Sequence, residues 1–386
     1  MRIGKNVETG EAVEFSDDKS HRKLVCGKTG SGKSYTMGVL LEELSDRTDV
    51  ISVVVDPQGI FWTMVNPNKS QETELWEWNL TPRNHRVNLM VPGNAVERYG
   101  SEAIVTKLTD MGVKISSIKV NPYDLSNEMW CDLFDLDITD LMGACLHKAV
   151  RSARSSLGKN FMIPDVVKEV EKQKANERTI EAVLRKLDIA AEWGVFQDVE
   201  YKEIEELFDA DAINVVDLGM LDQSRYGLRN LVVAVIAKFI FSERTRSRRM
   251  EALGLGSQMK KVWLAVDEAH NFCPSVKSSL SKEILIRWAK EGRQPGLSMI
   301  VASQQPSAID HEILSQCDVR IIHKLTNKED IKAINALSED FVGKDIEFYI
   351  KKLSHVGEAI VIDDQKERLD IVRIRPRRSE HGGWGA

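Results

Sequence analysis

The residues with the clearest chemistry lie in the run 27–34, which reads GKTGSGKS. This run fits the phosphate-binding pattern G-x-x-x-x-G-K-[ST], in which glycines let consecutive backbone N–H groups turn toward a phosphate. We expect Lys33 to reach the β- and γ-phosphates of a nucleotide and the Ser34 hydroxyl to bind Mg²⁺. The predicted ligands are therefore ATP and Mg²⁺. The predicted nucleotide-binding residues are Gly27, Lys28, Thr29, Gly30, Ser31, Gly32, Lys33, Ser34 and Tyr35.

A second motif carries carboxylates. The segment VWLAVDEAH is an apolar run that ends in Asp267 and Glu268. In a phosphoryl-transfer site, an acid at a strand end can hold Mg²⁺, and the next acid can orient and deprotonate the attacking water. We predict the first role for Asp267, together with Ser34, and the second for Glu268. Two acids that merely cap a strand are the alternative, and the presence of GKTGSGKS weighs against it.

Two further polar residues lie where such a site can use them. Gln304 follows the apolar run LSMIVAS, the usual position of a side chain that senses the γ-phosphate or positions water. A polar cap on a strand end is the alternative. Arg293 follows a helix that is predicted to stop at Gly292. It either pairs with a surface acid or reaches the nucleotide of a neighbouring subunit as an arginine finger, and the residues leave both interpretations open.

A sheet must bring these residues together. Strands alternating with helices predict an α/β fold with a mostly parallel sheet covered on both faces. Ligands of such sheets bind at the carboxyl edge, where the loop Pro57 to Gly59 is also expected. Residues 2–15 read as a hairpin that turns at Thr9-Gly10. The apolar runs that indicate the other strands are 22–26, 51–56, 213–218, 262–267, 297–303, 319–325 and 358–363.

The domain organisation follows from a change of pattern. We predict an ATPase core from residues 1–60 and 212–376, because the strand signals fall there. The range 61–211 is predicted to be a mainly helical insertion, since its apolar residues recur at helical spacing. Residues 377–386 are predicted to be an exposed C-terminal tail.

Composition limits the class of protein. The chain has 386 residues, of which 42% are hydrophobic and 29% charged, as in soluble globular proteins. A net charge of −6 argues against a protein whose whole surface is basic and binds nucleic acid, although a local basic track is compatible with this charge. Five scattered cysteines, without a C-x-x-C pair, favour a reducing compartment without a zinc site. Because no apolar run can direct secretion or span a bilayer, we expect a cytoplasmic protein without membrane attachment.

Several longer segments resemble one family. DEAHNFCP, EGRQPGLSMIVASQQPS and LSQCDVRIIHKLTN, with the opening IGKNVETGEAVEF and the ending RIRPRRSEHGG, resemble the HerA-like branch of the HerA/FtsK superfamily of hexameric DNA-pumping ATPases. The resemblance covers most of residues 1–56 and 213–381. It implies a RecA-like P-loop NTPase core, a homo-hexameric ring with ATP between subunits, and duplex DNA threaded through the pore.

The resemblance also implies roles for individual residues. It assigns the Walker A motif, the Walker B motif and the polar sensor, and it favours an arginine finger acting in trans over a surface ion pair. The matching residues are Lys33 and Ser34, Asp267 and Glu268, Gln304, and Arg293. The chain departs from the family at Ile60, where relatives often have an acid. We also expect no N-terminal β-barrel domain, which puts in doubt the part that this barrel plays in ring assembly and in docking a nuclease.

Two segments are candidates for contact with DNA. The run SERTRSRR contains Arg244, Arg246, Arg248 and Arg249 and is followed by Lys260 and Lys261. The loop 273–282 contains Lys277 and several serines, which suit sequence-independent contact with phosphates. A solvated basic helix end explains SERTRSRR equally well.

The combined expectation is a ring-forming, ATP-hydrolysing translocase or helicase on duplex DNA that works with a nuclease-type or other effector partner. One alternative is an ATP-gated scaffold ring that assembles and activates such an effector with little movement of its own. A viral or plasmid DNA-packaging ATPase is another.

Overall fold

The computed structural model describes residues 1–15, 21–197, 206–221, 227–256, 259–337 and 346–383. In this part of the chain, twelve strands form one sheet in the order β2-β1-β12-β11-β10-β3-β9-β8-β4-β7-β5-β6. The strands are β1 Arg2–Asn6, β2 Ala12–Glu14, β3 Arg22–Cys26, β4 Val50–Asp56, β5 Val87–Pro92, β6 Lys114–Ile118, β7 Ile213–Asp217, β8 Lys261–Val266, β9 Leu297–Ser303, β10 Val319–Ile322, β11 Glu358–Asp363 and β12 Arg368–Ile374.

Helices occupy most of the connections between strands. Short 3₁₀ turns also occur, among them Phe61–Val65 after β4 and Ala269–Asn271 after β8. The α-helices are α1 Lys33–Ser45, α2 Glu72–Glu77, α3 Ala95–Tyr99, α4 Glu102–Asp110, α5 Asn127–Asp132, α6 Leu141–Leu157, α7 Ile163–Glu171, α8 Glu177–Glu192, α9 Leu228–Ala252, α10 Lys282–Glu291, α11 His311–Leu314, α12 Lys328–Ala336 and α13 Ile346–Lys352. Within the described ranges, no helix is both long and apolar enough to cross a membrane.

The sheet is antiparallel from β2 to β10 and parallel from β10 to β6. The central strands β3, β4, β7 and β9 are buried along their whole length, as expected for parallel strands covered on both faces. The predicted α/β fold with a mostly parallel sheet is confirmed, and so is the N-terminal hairpin, which pairs through β1 with β12.

Alternate residues of one strand enter two separate cores. In β4, Val53 and Val55 pack in the core that contains Trp130 and α5 to α9. Val54 packs in the opposite core with α1 and Phe61. Because successive side chains point to opposite faces of a strand, this double burial explains the unbroken apolar run at 53–55.

The range 61–211 contains two strands that the sequence analysis does not predict. β5 pairs with β7, and β6 pairs with β5, so both extend the parallel sheet at its edge. Helices α5 to α8 follow them and pack on one another and on the sheet. The range is thus rich in helix, but its first half belongs to the same sheet as the core. The bounds 61–211 for this range as a separate insertion stay a prediction.

The expectation of an exposed C-terminal tail is wrong for most of residues 377–383, among which Glu380 is exposed. Arg377 and Ser379 are completely buried, and Ser379 Oγ donates to Glu42 Oε1 of α1 at 2.7 Å. The Arg377 N–H donates to the Tyr35 hydroxyl at 2.7 Å, and the His381 ring meets the Tyr35 ring edge-on with 5.5 Å between centroids. The segment therefore lies along α1 and ends beside the residue that follows the phosphate-binding motif.

Candidate active site

The loop 27–32 connects the end of β3 to the start of α1, and its shape requires glycine. Gly30 and Gly32 have φ angles of 73° and 103°, in the left-handed region that favours glycine. A Cβ on Gly27 would lie 2.4 Å from Ser31 Oγ and 2.6 Å from His323 Cβ. The loop thus turns around the N-terminus of α1 and packs closely against Ser31 and His323 at Gly27. This arrangement presents backbone N–H groups to an anion.

The ring of His323 forms the floor of this loop. Its Nδ1–H donates to the Glu358 carbonyl at 3.0 Å, so its Nε2 accepts from the Thr36 hydroxyl at 2.8 Å. Burial lowers the pKa of His323 to about 4. The ring is therefore neutral at pH 7 and holds α1 against β10.

Lys33 lies between Asp267, the predicted Mg²⁺ ligand, and Glu268, the predicted general base. Its Nζ is 2.5 Å from Asp267 Oδ1 and 3.1 Å from Glu268 Oε1, and all three side chains are buried. Burial would lower the pKa of Lys33, but the two carboxylates outweigh it and raise the pKa above its ordinary value. Ser34 Oγ donates to Asp267 Oδ2 at 3.2 Å. Residues that are more than 230 positions apart in the chain thus form one charged cluster.

Glu268 uses its two carboxylate oxygens differently. Oε1 accepts from Lys33 Nζ, from Gln304 Nε2 at 2.6 Å and from Gln58 Nε2 at 3.2 Å. Oε2 is buried and makes no hydrogen bond with the described part of the chain, and His270 Nδ1 lies 3.5 Å from it. Glu268 also has a left-handed backbone, with φ 47° and ψ 47°, which turns the chain sharply after β8.

Gln304 connects the carboxylate cluster to the phosphate-binding loop. Its Nε2 donates to Glu268, while its Oε1 accepts from the Thr29 hydroxyl at 2.6 Å. The position predicted from the end of β9 therefore places this amide between Thr29 and the predicted base. Its role as a sensor stays a prediction.

The sequence analysis missed three side chains of this site. Gln58 lies in the loop after β4, His270 closes the DEAH run, and His323 follows β10. A signal was present for the first two, because the loop 57–59 was already expected at the carboxyl edge and His270 stands in the acidic motif. No local pattern marks His323, since its position depends on the pairing of β10 with β3.

Ile60 has an apolar side chain where the resemblance leads one to expect an acid, and the structure shows where that side chain lies. It is buried in the core beside α1, while its N–H donates to Asp56 Oδ2 at 2.7 Å. A carboxylate at this position would have to leave that core or be buried in it. The polar group that this loop offers to the site is Gln58 instead.

Arg293 does not lie in the site of its own chain. It is exposed between α10 and β9, at the amino edge of the sheet, whereas Gln304 follows the carboxyl end of β9. The seven residues of β9 separate the two edges by roughly 23 Å. Arg293 is therefore too far from the site of its own chain to act there, and its role as an arginine finger stays a prediction.

The basic run at the end of α9 is largely engaged in local ion pairs. Arg244 is buried with its guanidinium 2.7 Å from Glu251, and Arg248 lies 3.3 Å from the same carboxylate. This favours the interpretation as a charged helix end. The other candidate, the loop 273–282, packs on the segment after Gln304 through the Ser275 N–H and the Ala308 carbonyl, and Val276 at its tip is 93% exposed.

The donor set fits ATP with Mg²⁺. A serine hydroxyl and an adjacent carboxylate oxygen are ligands that Mg²⁺ accepts, and Lys33 supplies the cation for the phosphates. The buried, unpartnered Oε2 of Glu268 is the expected feature of a group that awaits a further donor such as water. Which residues bind the nucleotide stays a prediction.

Comparison with known proteins agrees with this geometry. Residues 4–240 match the family model described as "Helicase HerA, central domain". The DNA double-strand break repair helicase HerA of Sulfurisphaera tokodaii is 24% identical over 379 residues, covering 97% of this chain and 69% of the relative. That of Sulfolobus acidocaldarius is 26% identical over 380 residues, with the same two coverages.

Solved structures show the same fold. VirB4 of Thermoanaerobacter pseudethanolicus superposes with a TM-score of 0.61 at 16% identity, covering 97% of this chain and 96% of that one. The plasmid coupling protein TrwB in complex with ADP and Mg²⁺ gives a TM-score of 0.55 at 13% identity, covering 99% and 95%. The fold is therefore that of the RecA-like P-loop ATPases.

Proposed function

Because the chain belongs to the family of the helicase HerA central domain, we propose that it is a ring-forming ATPase that hydrolyses ATP to move along or through duplex DNA. The observation that carries this proposal is the cluster of Lys33, Asp267, Glu268 and Gln304 beneath a glycine-rich loop. The two relatives named DNA double-strand break repair helicase HerA support DNA as the polymer along which this protein moves. TrwB with ADP and Mg²⁺ supports the choice of cofactors.

The chemistry follows from the positions of the side chains. Lys33 binds the β- and γ-phosphates of the substrate ATP, exchanging its present carboxylate partners for phosphate oxygens. Glu268 takes the proton of the attacking water on the Oε2 atom, which is not occupied by a hydrogen bond. Gln304 orients Glu268 and would contact the γ-phosphate. Ser34 and Asp267 would hold Mg²⁺, which would supply positive charge close to the transferred phosphoryl group.

Assembly completes the site. In one chain, Arg293 lies at the amino edge of the sheet and Lys33 at the carboxyl edge, so a role for Arg293 in hydrolysis would be in trans, against the nucleotide of an adjacent subunit. A ring of six would place each nucleotide between two copies and a pore around the DNA. A nuclease-type partner is part of this proposal, because a motor that exposes or delivers DNA ends needs an enzyme that processes them.

Steady-state ATPase activity with and without linear duplex DNA tests the function. We expect strong stimulation by duplex DNA, and loss of turnover with retained ATP binding in Glu268→Gln, which is the matched control because it keeps the shape of the side chain. The apparent DNA affinity should fall steeply as salt rises, since phosphate contacts release counterions. Slow turnover that is indifferent to DNA would instead favour the ATP-gated scaffold.

A further inference from the structure

Gln58 donates to the predicted general base from an unusually well-fixed loop. Its Nε2 is 3.2 Å from Glu268 Oε1, although the two residues are 210 positions apart in the chain. The side chain of Gln58 is otherwise exposed, while Glu268 is only 6% exposed. An exposed amide thus contacts a buried carboxylate at the mouth of the site.

The loop 57–59 is held in one conformation by several constraints. The completely buried Asp56 accepts from the N–H groups of four successive residues, Gln58, Gly59, Ile60 and Phe61, at 2.7 to 3.2 Å. Gly59 has a φ of 68°, and its backbone nitrogen would lie only 2.9 Å from a Cβ on Gly219. Because the backbone is already fixed, the main entropic cost of the contact is the ordering of the Gln58 side chain.

We propose that Gln58 is a positioning residue that, together with Gln304, holds the Oε1 atom of Glu268 so that Oε2 faces the attacking water. This inference rests on the proposed function, in which Glu268 is the base. It assigns a catalytic consequence to a loop of the chain that neither motif includes.

The amides of Gln58 and Gln304 are needed because Lys33, which also donates to Glu268 Oε1, leaves this atom when it binds phosphate. In the structure, Lys33 Nζ is the third donor to Oε1, at 3.1 Å. Once Lys33 binds phosphate oxygens, Oε1 retains only Gln58 Nε2 and Gln304 Nε2 among the contacts of the described residues. Two neutral amides orient a carboxylate without adding a charge that would compete with the phosphates, and orientation of the base decides the rate of proton transfer.

The test compares Gln58→Met, which keeps the length of the side chain and removes the amide, with Gln58→His, which restores an N–H donor. Gln305→Met is the matched control, because Gln305 is an exposed glutamine at the same edge of the sheet whose amide is not placed on Glu268. We expect Gln58→Met to lower kcat roughly ten- to a hundredfold while KM and the affinity for a fluorescent ATP analogue change less than about twofold. Gln58→His should recover most of kcat.

The outcomes separate this inference from other roles of Gln58. An increase in KM with unchanged kcat would mean that Gln58 binds the nucleotide itself, and would overturn the inference. So would an equal loss of kcat in the Met and His variants. Thermal unfolding gives a readout that needs no turnover: Gln58→Met should lower the Tm of the wild-type protein but not that of Glu268→Ala. An equal Tm shift in both backgrounds would overturn the contact even if the protein hydrolysed no ATP, whereas absence of wild-type turnover alone would count against the proposed function.

Discussion

A single lysine balances two buried carboxylates at the centre of the site. Lys33, Asp267 and Glu268 are at most 6% exposed, so their charges are only weakly screened by solvent. Removing one partner of such a cluster leaves uncompensated buried charge, which destabilises a fold more than loss of an exposed pair does. The nucleotide-free protein therefore depends on Lys33 for stability as well as for phosphate binding.

Lys33→Ala should lower the free energy of unfolding of the nucleotide-free protein by about 3 kcal/mol in urea denaturation. It should also weaken ATP binding at least about tenfold, since it removes a charged phosphate ligand. Because Asp267 and Ser34 would then face each other without a cation, added Mg²⁺ should restore part of the lost stability. Lys28→Ala, an exposed lysine of the same loop, should change the unfolding free energy by less than about 0.5 kcal/mol. Equal effects of the two substitutions would contradict the cluster.

At the scale of the elements, the C-terminal segment 375–383 packs along α1, with Arg375, Arg377 and Ser379 buried. Glu42 Oε2 lies 2.8 Å from Arg375 Nη1, and its other oxygen accepts from the N–H and hydroxyl of Ser379. Burial alone would raise the pKa of Glu42, but Arg375 and Arg377 and the bonds from Ser379 lower it to about 2. The carboxylate is therefore ionised in the fold and holds the segment in place.

Glu42→Ala should destabilise the protein by about 3 to 5 kcal/mol, because it removes the buried carboxylate that faces both Arg375 and Arg377 and leaves Arg375 with Glu43. Glu43→Ala is the matched control: Glu43 also pairs with Arg375, at 2.9 Å, but is 21% exposed, and its loss should cost about 1 kcal/mol or less. Urea denaturation measures both values. A loss for Glu42→Ala no larger than that for Glu43→Ala would show that the segment does not depend on this carboxylate.

The same carboxylate gives a pH dependence with a defined sign. Since the pKa of Glu42 is lower in the fold than its ordinary value of 4.5, its contribution is fully present above about pH 4.5 and is lost as the pH falls toward 2. The stability advantage of the wild type over Glu42→Gln should therefore shrink across this window. An advantage that stays constant from pH 6 to pH 2.5 would contradict an ionised Glu42.

The elements that the sequence predicts correctly are those with a strong local pattern. The buried parallel strands β3, β4, β7, β8 and β9 are each rich in apolar residues, and the glycine pattern marks the loop between β3 and α1. β5 is equally buried, but its run ends in Pro92-Gly93 and reads as a turn. β6 is a half-exposed edge strand with two serines.

The exposure of the C-terminal segment is predicted wrongly for a different reason. Its arginines and serine are polar, so local composition predicts exposure. Their burial depends on a carboxylate more than 330 positions away in the chain. Likewise, Gln58 and His323 join the site only because the strand order brings β4 and β10 close to β3 and β8. Long-range pairing of this kind leaves no local pattern in a single sequence.

At the scale of the whole molecule, the position of Arg293 requires a second copy for any role in hydrolysis. Mixed rings of Arg293→Ala and Glu268→Gln subunits contain interfaces in which an intact Glu268 faces an intact Arg293. Co-expressed with two different affinity tags and purified as mixed assemblies, they should hydrolyse ATP faster than the average of the two single variants.

The control for this experiment is Lys290→Ala, which removes a neighbouring exposed lysine paired with Glu312 and should leave turnover unchanged. Mixed assemblies with no more activity than the average of their parents would show that Arg293 does not act in trans. Arg293 would then be a surface residue of the amino edge.

ATP-driven displacement of a third strand from a linear duplex tests the motor most directly. A triplex-forming oligonucleotide, bound to duplex DNA ahead of the protein, is released only when a translocating enzyme reaches it. The account predicts release that requires ATP and Mg²⁺ and is abolished in Glu268→Gln, although that variant still binds both ATP and DNA. ATP hydrolysis stimulated by DNA without any strand release, under conditions in which the triplex is stable, would contradict translocation and leave a DNA-dependent ATPase that does not move.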